Sequence, residues 1–334
     1  MTAEKDKLFR VLPRQVGETI AAALREWLPG ESWSEVRRLL NARRVMINGN
    51  LCTDAGYRLR LPDVVKLLPH SLAPQVKDEH VRIVHLDKHL VVVEKPAGVT
   101  SNRHPDERLQ SGRRQYQQTL DEMLPRLIAR LERGRTPHPV RAVHRLDRDT
   151  SGLMVFARTV SAERELQRQF RVHSIRRRYI AVVRGAIEEQ TIESRLVRDR
   201  GDGRRGSTNL ADVGKTAITH VRPLERLGNY TLVECRLETG RTHQIRIHLS
   251  EAGHPLCGDK VYWQPLFKRG EPDGSGAPRL ALAAVELGFA HPITARPMHF
   301  ECSLPPDLER FVERLRYKDT EGGGEVHDSE SRAT

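Results

Sequence analysis

Residues 144–152 read HRLDRDTSG, a stretch in which Asp147 stands between Arg145 and Arg148. Nearby cations favour the ionised form of a carboxyl group. An Asp held ionised is a poor general acid but a usable nucleophile or base. Thr150, Ser151 and Gly152 suit a tight turn or a phosphate contact. A second charged cluster, ETGRTHQIRIHLSEAGHPLCGD at 238–259, carries Arg241, His243, Arg246 and His248. A third, RRRYIAVVRG at 176–185, sets three arginines before Tyr179, the combination that stacks on and neutralises a single-stranded nucleotide. Spacing alone leaves alternatives open. A kinase needs a Gly-rich phosphate loop and a downstream Asn, and a serine hydrolase needs GxSxG, and neither pattern is present. His144 with Asp147 could ligate a metal only on a helix, whereas a loop is expected there. A surface loop held by its own ion pairs satisfies the same letters.

The elements around these clusters are short and strand-rich. HLVVVEKPAG (89–98) reads as a strand ending in a proline turn, and GLMVFAR (152–158) as a strand directly after the Asp147 loop. YIAVVRG (179–185), TAITHVRPLER (216–226), YTLVECRLE (230–238), RLALAAVELGF and MHFECSL supply further strands. SAERELQRQFRVHSI (161–175) is an amphipathic helix, and 107–135 is Arg-rich and broadly helical. A helix is expected over 243–252, capped by Thr242 and stopped by Gly253. It puts Arg246 and Ser250 on one face. His243 and His248, five apart, do not make a ligand pair and read as ordinary satisfied polar residues. The order of elements predicts an α+β fold with a large mixed or mostly antiparallel sheet.

The front of the chain has a different texture. SEVRRLLNARR reads as a helix capped by Ser34 and presenting Arg37, Arg38, Arg43 and Arg44. VMINGNL follows as a strand broken at Asn48-Gly49, a strong hairpin signal. PHSLAPQVKDEH (69–80) has no periodicity and reads as a linker.

Composition narrows the partners. The 334 residues suffice for two domains, and no apolar run is long enough to span a membrane. MTAEKDKLFR lacks the apolar core of a secretory signal, so a cytoplasmic location is expected. Cys52, Cys235, Cys257 and Cys302 lie far apart without a CxxC, which predicts buried thiols rather than zinc or disulfides. The net charge is +12, and 46 of the 56 basic residues are Arg. Guanidinium groups grip phosphate bidentately and stack on bases, so the expected partner is a nucleic acid.

Two resemblances join these features. VRRLLNARRV with VMINGN resembles the S-four-type RNA-binding domain, here residues 14–75. Four stretches in order resemble the motifs of the RluA-type pseudouridine synthase family: LVVVEKPAG, HRLDRDTSGLMVFA, RRYIAVVRG and LETGRTHQIRIHLSEAGHPLCGD. They imply a catalytic domain over residues 80–317, and the Gly-, Glu- and Ser-rich composition beyond it predicts a disordered tail at 318–334.

The resemblance implies isomerisation of uridine in RNA without cofactor or metal. The catalytic residue is then Asp147, Tyr179 stacks on the uracil, and Arg246 pairs with the carboxylate. Arg145 supports flipping of the base, and Arg241 contacts RNA or supports structure. The front domain implies large-subunit rRNA as substrate. The alternatives are tRNA, or a non-catalytic RNA-binding or ribosome-assembly factor. No obligate protein partner is implied. The chain departs from the family in VTSNRHPDE after KPAG, in Leu282-Ala283-Ala284 where Leu-His-Ala is common, and in the long VYWQPLFKRGEPDGSG segment. These changes fall outside the catalytic letters.

Overall fold

The structure is a computed structural model that describes residues 7–48, 50–68, 78–102, 118–133, 136–200, 204–210, 212–263 and 272–322. Most of the expected linker, part of the Arg-rich 107–135 connection and residues 323–334 lie outside the described residues. The chain forms an α+β fold with two sheets.

The front unit has strand β1 (Lys7–Arg10), helices α1 (Ile20–Trp27) and α2 (Trp33–Asn41), and strands β2 (Val45–Ile47), β3 (Asn50–Leu51) and β4 (Val64–Leu67). Its antiparallel sheet runs β1-β4-β2-β3. The hairpin falls where Asn48 predicts it, with Ile47 opposite Asn50 and Asn48 at φ 51°. Ile20, Leu24, Val36 and Leu40 pack onto Val45, Ile47 and Val65 to make a separate core. The cap of α2 is Ser32 rather than Ser34. Its side chain accepts from Glu35 N, and the Glu35 carboxylate accepts from Ser32 N, a reciprocal box that Ser34 cannot form.

The larger unit contains β5 (Arg82–Leu86), β6 (Leu90–Lys95), α3 (Leu120–Leu131), β7 (Arg141–Ala142), β8 (Ser151–Ala157), α4 (Val160–Arg171) and β9 (Arg176–Arg184). It continues through β10 (Gln190–Val197), β11 (Gly206–Thr208), β12 (Lys215–Leu227), β13 (Tyr230–Leu237) and α5 (Gln244–Glu251). It closes with β14 (Leu282–Ala290), β15 (Pro297–Glu301) and α6 (Pro306–Gly322). The main path of its sheet is β11-β10-β12-β13-β9-β14-β8-β6-β5, with β15 on β14 and β7 on β8. The pairs are antiparallel except β14 with β8, which makes the sheet mixed. Helix α6 runs to Gly322, so residues 318–322 are helical rather than part of a disordered tail.

Both faces are covered over the central strands β6, β8, β9 and β14, which explains their unbroken apolar runs, while β10, β12 and β15 alternate between more and less exposed positions. Successive side chains of a strand point to opposite faces. In β8, Met154 and Phe156 pack with α3 and with Tyr179, while Leu153, Val155 and Ala157 pack with Ala162 and Leu166 of α4. Gly152 sits where β8 joins β14. A Cβ there would lie 2.1 Å from the Ala284 carbonyl oxygen, and its φ of 116° is one that side chains disfavour. The Thr-Ser-Gly end of the charged stretch therefore serves the strand junction. Met46 and Leu68 of the front unit pack against Ile247, Val261 and Tyr262 of the larger one.

Candidate active site

Asp147 lies on the loop between β7 and β8, with its side chain 15% exposed. The loop is clamped from the β6 turn. Lys95 Nζ donates to the carbonyls of Arg148 (2.9 Å), Val99 (2.9 Å) and Pro96 (3.0 Å). Ser101 Oγ donates to Leu146 O at 2.8 Å and accepts from Leu146 N at 3.1 Å. The backbone on each side of Asp147 is thereby fixed by residues of the EKPAGVTS stretch.

Arg246 reaches Asp147 from α5. Its Nη1 is 3.3 Å from Asp147 Oδ2, while Nε and Nη2 form a bidentate pair with Asp259 at 2.7 and 2.9 Å. Asp259 is held in turn by the backbone N–H groups of Val261 and Tyr262. The guanidinium lies 5.0 Å over the Tyr262 ring. Burial opposes the Arg246 cation, but Asp259 and then Asp147 more than reverse this and raise its pKa above the usual range. Burial would likewise raise the Asp147 carboxyl. The facing His243, which takes up its own proton only in acid, Arg246 and Arg145 overcome it and hold the group below the ordinary carboxylate range. Asp147 is thus ionised at neutral pH, as the flanking arginines predict, but the buried hydrogen-bond partner comes from a helix 99 positions away.

Tyr179 stands in β9, 6% exposed, opposite Cys235 of β13 and Ala284 of β14. Its hydroxyl has no hydrogen-bond partner among the described residues, and burial raises its pKa. Tyr179, Asp147 and Arg246 line one cleft of about 470 Å³ together with Arg145, Arg171, Arg177, Arg241 and His243. Among the described residues, five arginines and a single carboxylate line the cleft. Arg145 is exposed at its mouth. Arg241 is half-buried and spends its Nε on Thr216 O at 2.9 Å.

The front-domain arginines divide. Arg37 and Arg38 are exposed on α2, and Arg38 has Glu35 at 3.6 Å. Arg43 and Arg44 are not on that helix face, because α2 ends at Asn41. Arg43 turns inward with φ 64° and is 7% exposed; burial lowers its pKa, and Asp149 of the Asp147 loop opposes the shift. Arg44 donates to Leu68 O at 2.7 Å.

His144 is half-buried. Its Nε2 accepts from Val155 N, its ring stacks on Phe170 at 4.6 Å, and burial pushes its pKa down to about 3. It is a neutral structural residue. Helix α5 begins at Gln244, one residue later than expected, because His243 occupies the cap position in a left-handed conformation. Lys95, Asp259 and Tyr262 were not assigned from sequence. Asp259 was legible only as the Gly-Asp that follows Gly-His-Pro.

The family described as RNA pseudouridylate synthase matches residues 89–251, and the S4 domain matches residues 20–65. A ribosomal large subunit pseudouridine synthase D of Zymomonas mobilis subsp. mobilis is 37% identical over 80% of this chain and 84% of its own length. A protein of the same name in Neisseria meningitidis serogroup B is 38% identical over 90% of this chain and 79% of its own. The uncharacterized RNA pseudouridine synthase YlyB of Bacillus subtilis is 34% identical over 90% and 94%. Among solved structures, human RNA Pseudouridylate Synthase Domain Containing 4 superposes with a TM-score of 0.56 at 25% identity, covering 70% of this chain and 93% of that one. The chain belongs to the RNA pseudouridylate synthase family and is an RNA pseudouridine synthase with an S4 domain in front.

Proposed function

We propose that the chain converts uridine to pseudouridine in large-subunit rRNA, with Asp147 as the reacting carboxylate. The observation that carries this is the ionised Asp147 held by Arg246 in an arginine-lined cleft beside Tyr179. The target base must leave its stack to reach that depth. The bond from uracil N1 to ribose C1′ breaks, the uracil turns, and C5 bonds to C1′. The C5 hydrogen leaves as a proton and N1 gains one, so the reaction is an isomerisation that consumes nothing. Asp147 acts on the ribose, either by adding to it or by taking a ribose proton, and both routes need a dry carboxylate already ionised. Tyr179 supplies a ring face for the uracil and an uncommitted hydroxyl. Arg145, at the mouth, supports the flipped state.

Residues 14–75 act as the RNA-binding domain and 80–317 as the catalytic domain. The names of the Zymomonas and Neisseria relatives support rRNA over tRNA. Tritium release from RNA labelled at uridine C5 tests the reading. Large-subunit rRNA and bulk tRNA are compared, with Asp147→Ala as control. Release from rRNA alone, lost in the variant, is expected. Release from tRNA alone would reassign the substrate, and release that survives in Asp147→Ala would remove Asp147 from the chemistry.

A further inference from the structure

His243 has a geometry that the reaction scheme above leaves unused. It caps α5 with φ 60° and ψ 19°, a left-handed conformation uncommon outside glycine, and its side chain makes no capping hydrogen bond. The ring is instead inserted between Asp147 and Tyr262. Its Nδ1 lies 2.8 Å from Tyr262 Oη, and its Nε2 lies 3.9 Å from Asp147 Oδ2. The rings of His243 and Tyr262 meet edge to face at 5.5 Å.

The tautomer follows from burial. Tyr262 is 1% exposed, and burial raises its phenol pKa above the ordinary value, so the proton stays on. Among the described residues, His243 Nδ1 is the phenol's hydrogen-bond partner. A buried O–H must find an acceptor. The phenol therefore donates to a bare Nδ1, and the imidazole proton sits on Nε2, toward Asp147. Burial pushes the ring's pKa down to about 3, so this is a neutral N–H donor.

Arg246 Nη1 and His243 Nε2 both face the same carboxylate oxygen, Oδ2. Among the described residues, Oδ1 has no hydrogen-bond donor. We propose that His243, oriented by Tyr262, is a positioning residue that fixes Asp147 through Oδ2 and leaves Oδ1 as the reacting oxygen, a proposal that rests on Asp147 being the reacting group. At 3.9 Å the contact is longer than a hydrogen bond. Catalytic hydrogen bonds often tighten only in the substrate complex, and this one shortens when RNA fills the cleft. The charged groups facing the ring are Asp147 from its loop, Arg246 from α5, Asp259 from the turn beyond α5, and Arg205 from the approach to β11. Asp147 and Asp259 have lowered pKa values and Arg246 a raised one. The acid limb of the rate profile therefore reports protonation of the coupled Asp147–His243 pair.

The test uses the full-length enzyme and tritium release from C5-labelled rRNA across pH. His243→Leu is expected to lower kcat about tenfold or more, leave KM within about twofold, and move the acid limb up by about half a pH unit or more. His243→Gln, whose amide N–H reaches the same oxygen, restores most of kcat and the limb. Tyr262→Phe, which lies outside the strained position, lowers kcat in the same direction and adds little to His243→Leu. A purely structural role would lower the melting temperature without moving the limb. Unchanged kcat and limb in His243→Leu and Tyr262→Phe, or equal rates in the Gln and Leu variants, would overturn the proposal. Equal release by wild type and Asp147→Asn would remove the underlying reading, and that outcome is recognised without any His243 variant.

Discussion

Lys95 Nζ donates to the carbonyl of Arg148 at 2.9 Å, tying the residue beside Asp147 to a strand end 53 positions earlier. The carbonyls of Pro96 and Val99 take its two remaining N–H groups. Burial pushes the Lys95 pKa down to about 7, against the pull of Asp149 and Asp147. Three acceptors on one nitrogen are the complement of an ammonium, which has three donors. Lys95→Met keeps the chain length and leaves the carbonyls without their donor. It is expected to cost about 2–5 kcal/mol, since each buried group left unsatisfied costs about 1–3 kcal/mol, with activity falling alongside. Urea unfolding measures the loss, and a change below about 0.5 kcal/mol would show that the ammonium does not hold the loop.

Arg246 and Asp259 act as a unit. Lysine cannot reproduce a guanidinium that serves two carboxylates at once. Arg246→Lys is expected to abolish measurable turnover while RNA affinity changes less than about threefold, because the group faces Asp147 rather than the open surface. Asp259→Ala leaves the buried Arg246 charge with Asp147 alone. A loss of about 3–5 kcal/mol in stability is expected, as for other broken buried pairs. Thermal melts and filter binding on the same preparations separate the two effects. An Arg246→Lys enzyme with normal turnover would show that bidentate geometry is not required.

The buried and exposed arginines of the front domain should differ in salt dependence. A phosphate contact releases counterions, so losing one reduces the slope of log K against log salt by about 1. Arg37→Ala and Arg38→Ala are each expected to flatten that slope. Arg43→Leu is not, because none of its guanidinium nitrogens has a hydrogen-bond partner among the described residues and the side chain points inward. Removing a buried cation without a hydrogen-bond partner should hold or raise the melting temperature. A flattened slope in Arg43→Leu would place that residue on RNA.

Local chemistry was the legible part of this chain. Asn48 announced its hairpin, the apolar run after Gly152 its strand, and the arginines around Asp147 an ionised carboxylate. The chemistry that depends on distant pairing was not. Asp259 meets Arg246 only because the chain leaving α5 turns back across that helix, and Lys95 meets Arg148 because β6 pairs with β8. His243 looked like an ordinary polar residue, since a left-handed cap has no sequence signal outside Gly and Asn. Arg43 resembled Arg37 by letter, and only the end of α2 at Asn41 separates their surroundings.

His144, His243 and His248 should make stability fall on mild acidification. Burial pushes their pKa values down to about 3, 3 and 4. The unfolded chain takes up protons at histidine near pH 6.5, whereas the folded state does so only well below that. Between those values the unfolded state holds more protons, so unfolding free energy rises with pH and falls as acid is added. Carboxylates are ionised in both states between about pH 6.5 and 5, and Lys95, with a folded pKa of about 7, is mostly protonated in both, so the slope in that window comes mainly from the histidines. Each contributes up to about 1.4 kcal/mol per pH unit there. Urea melts at several pH values are expected to show this slope, reduced in His144→Gln. A flat profile from pH 6.5 to 5 would mean that these rings accept protons in the folded state, and the neutral donor assigned to His243 would lose its basis.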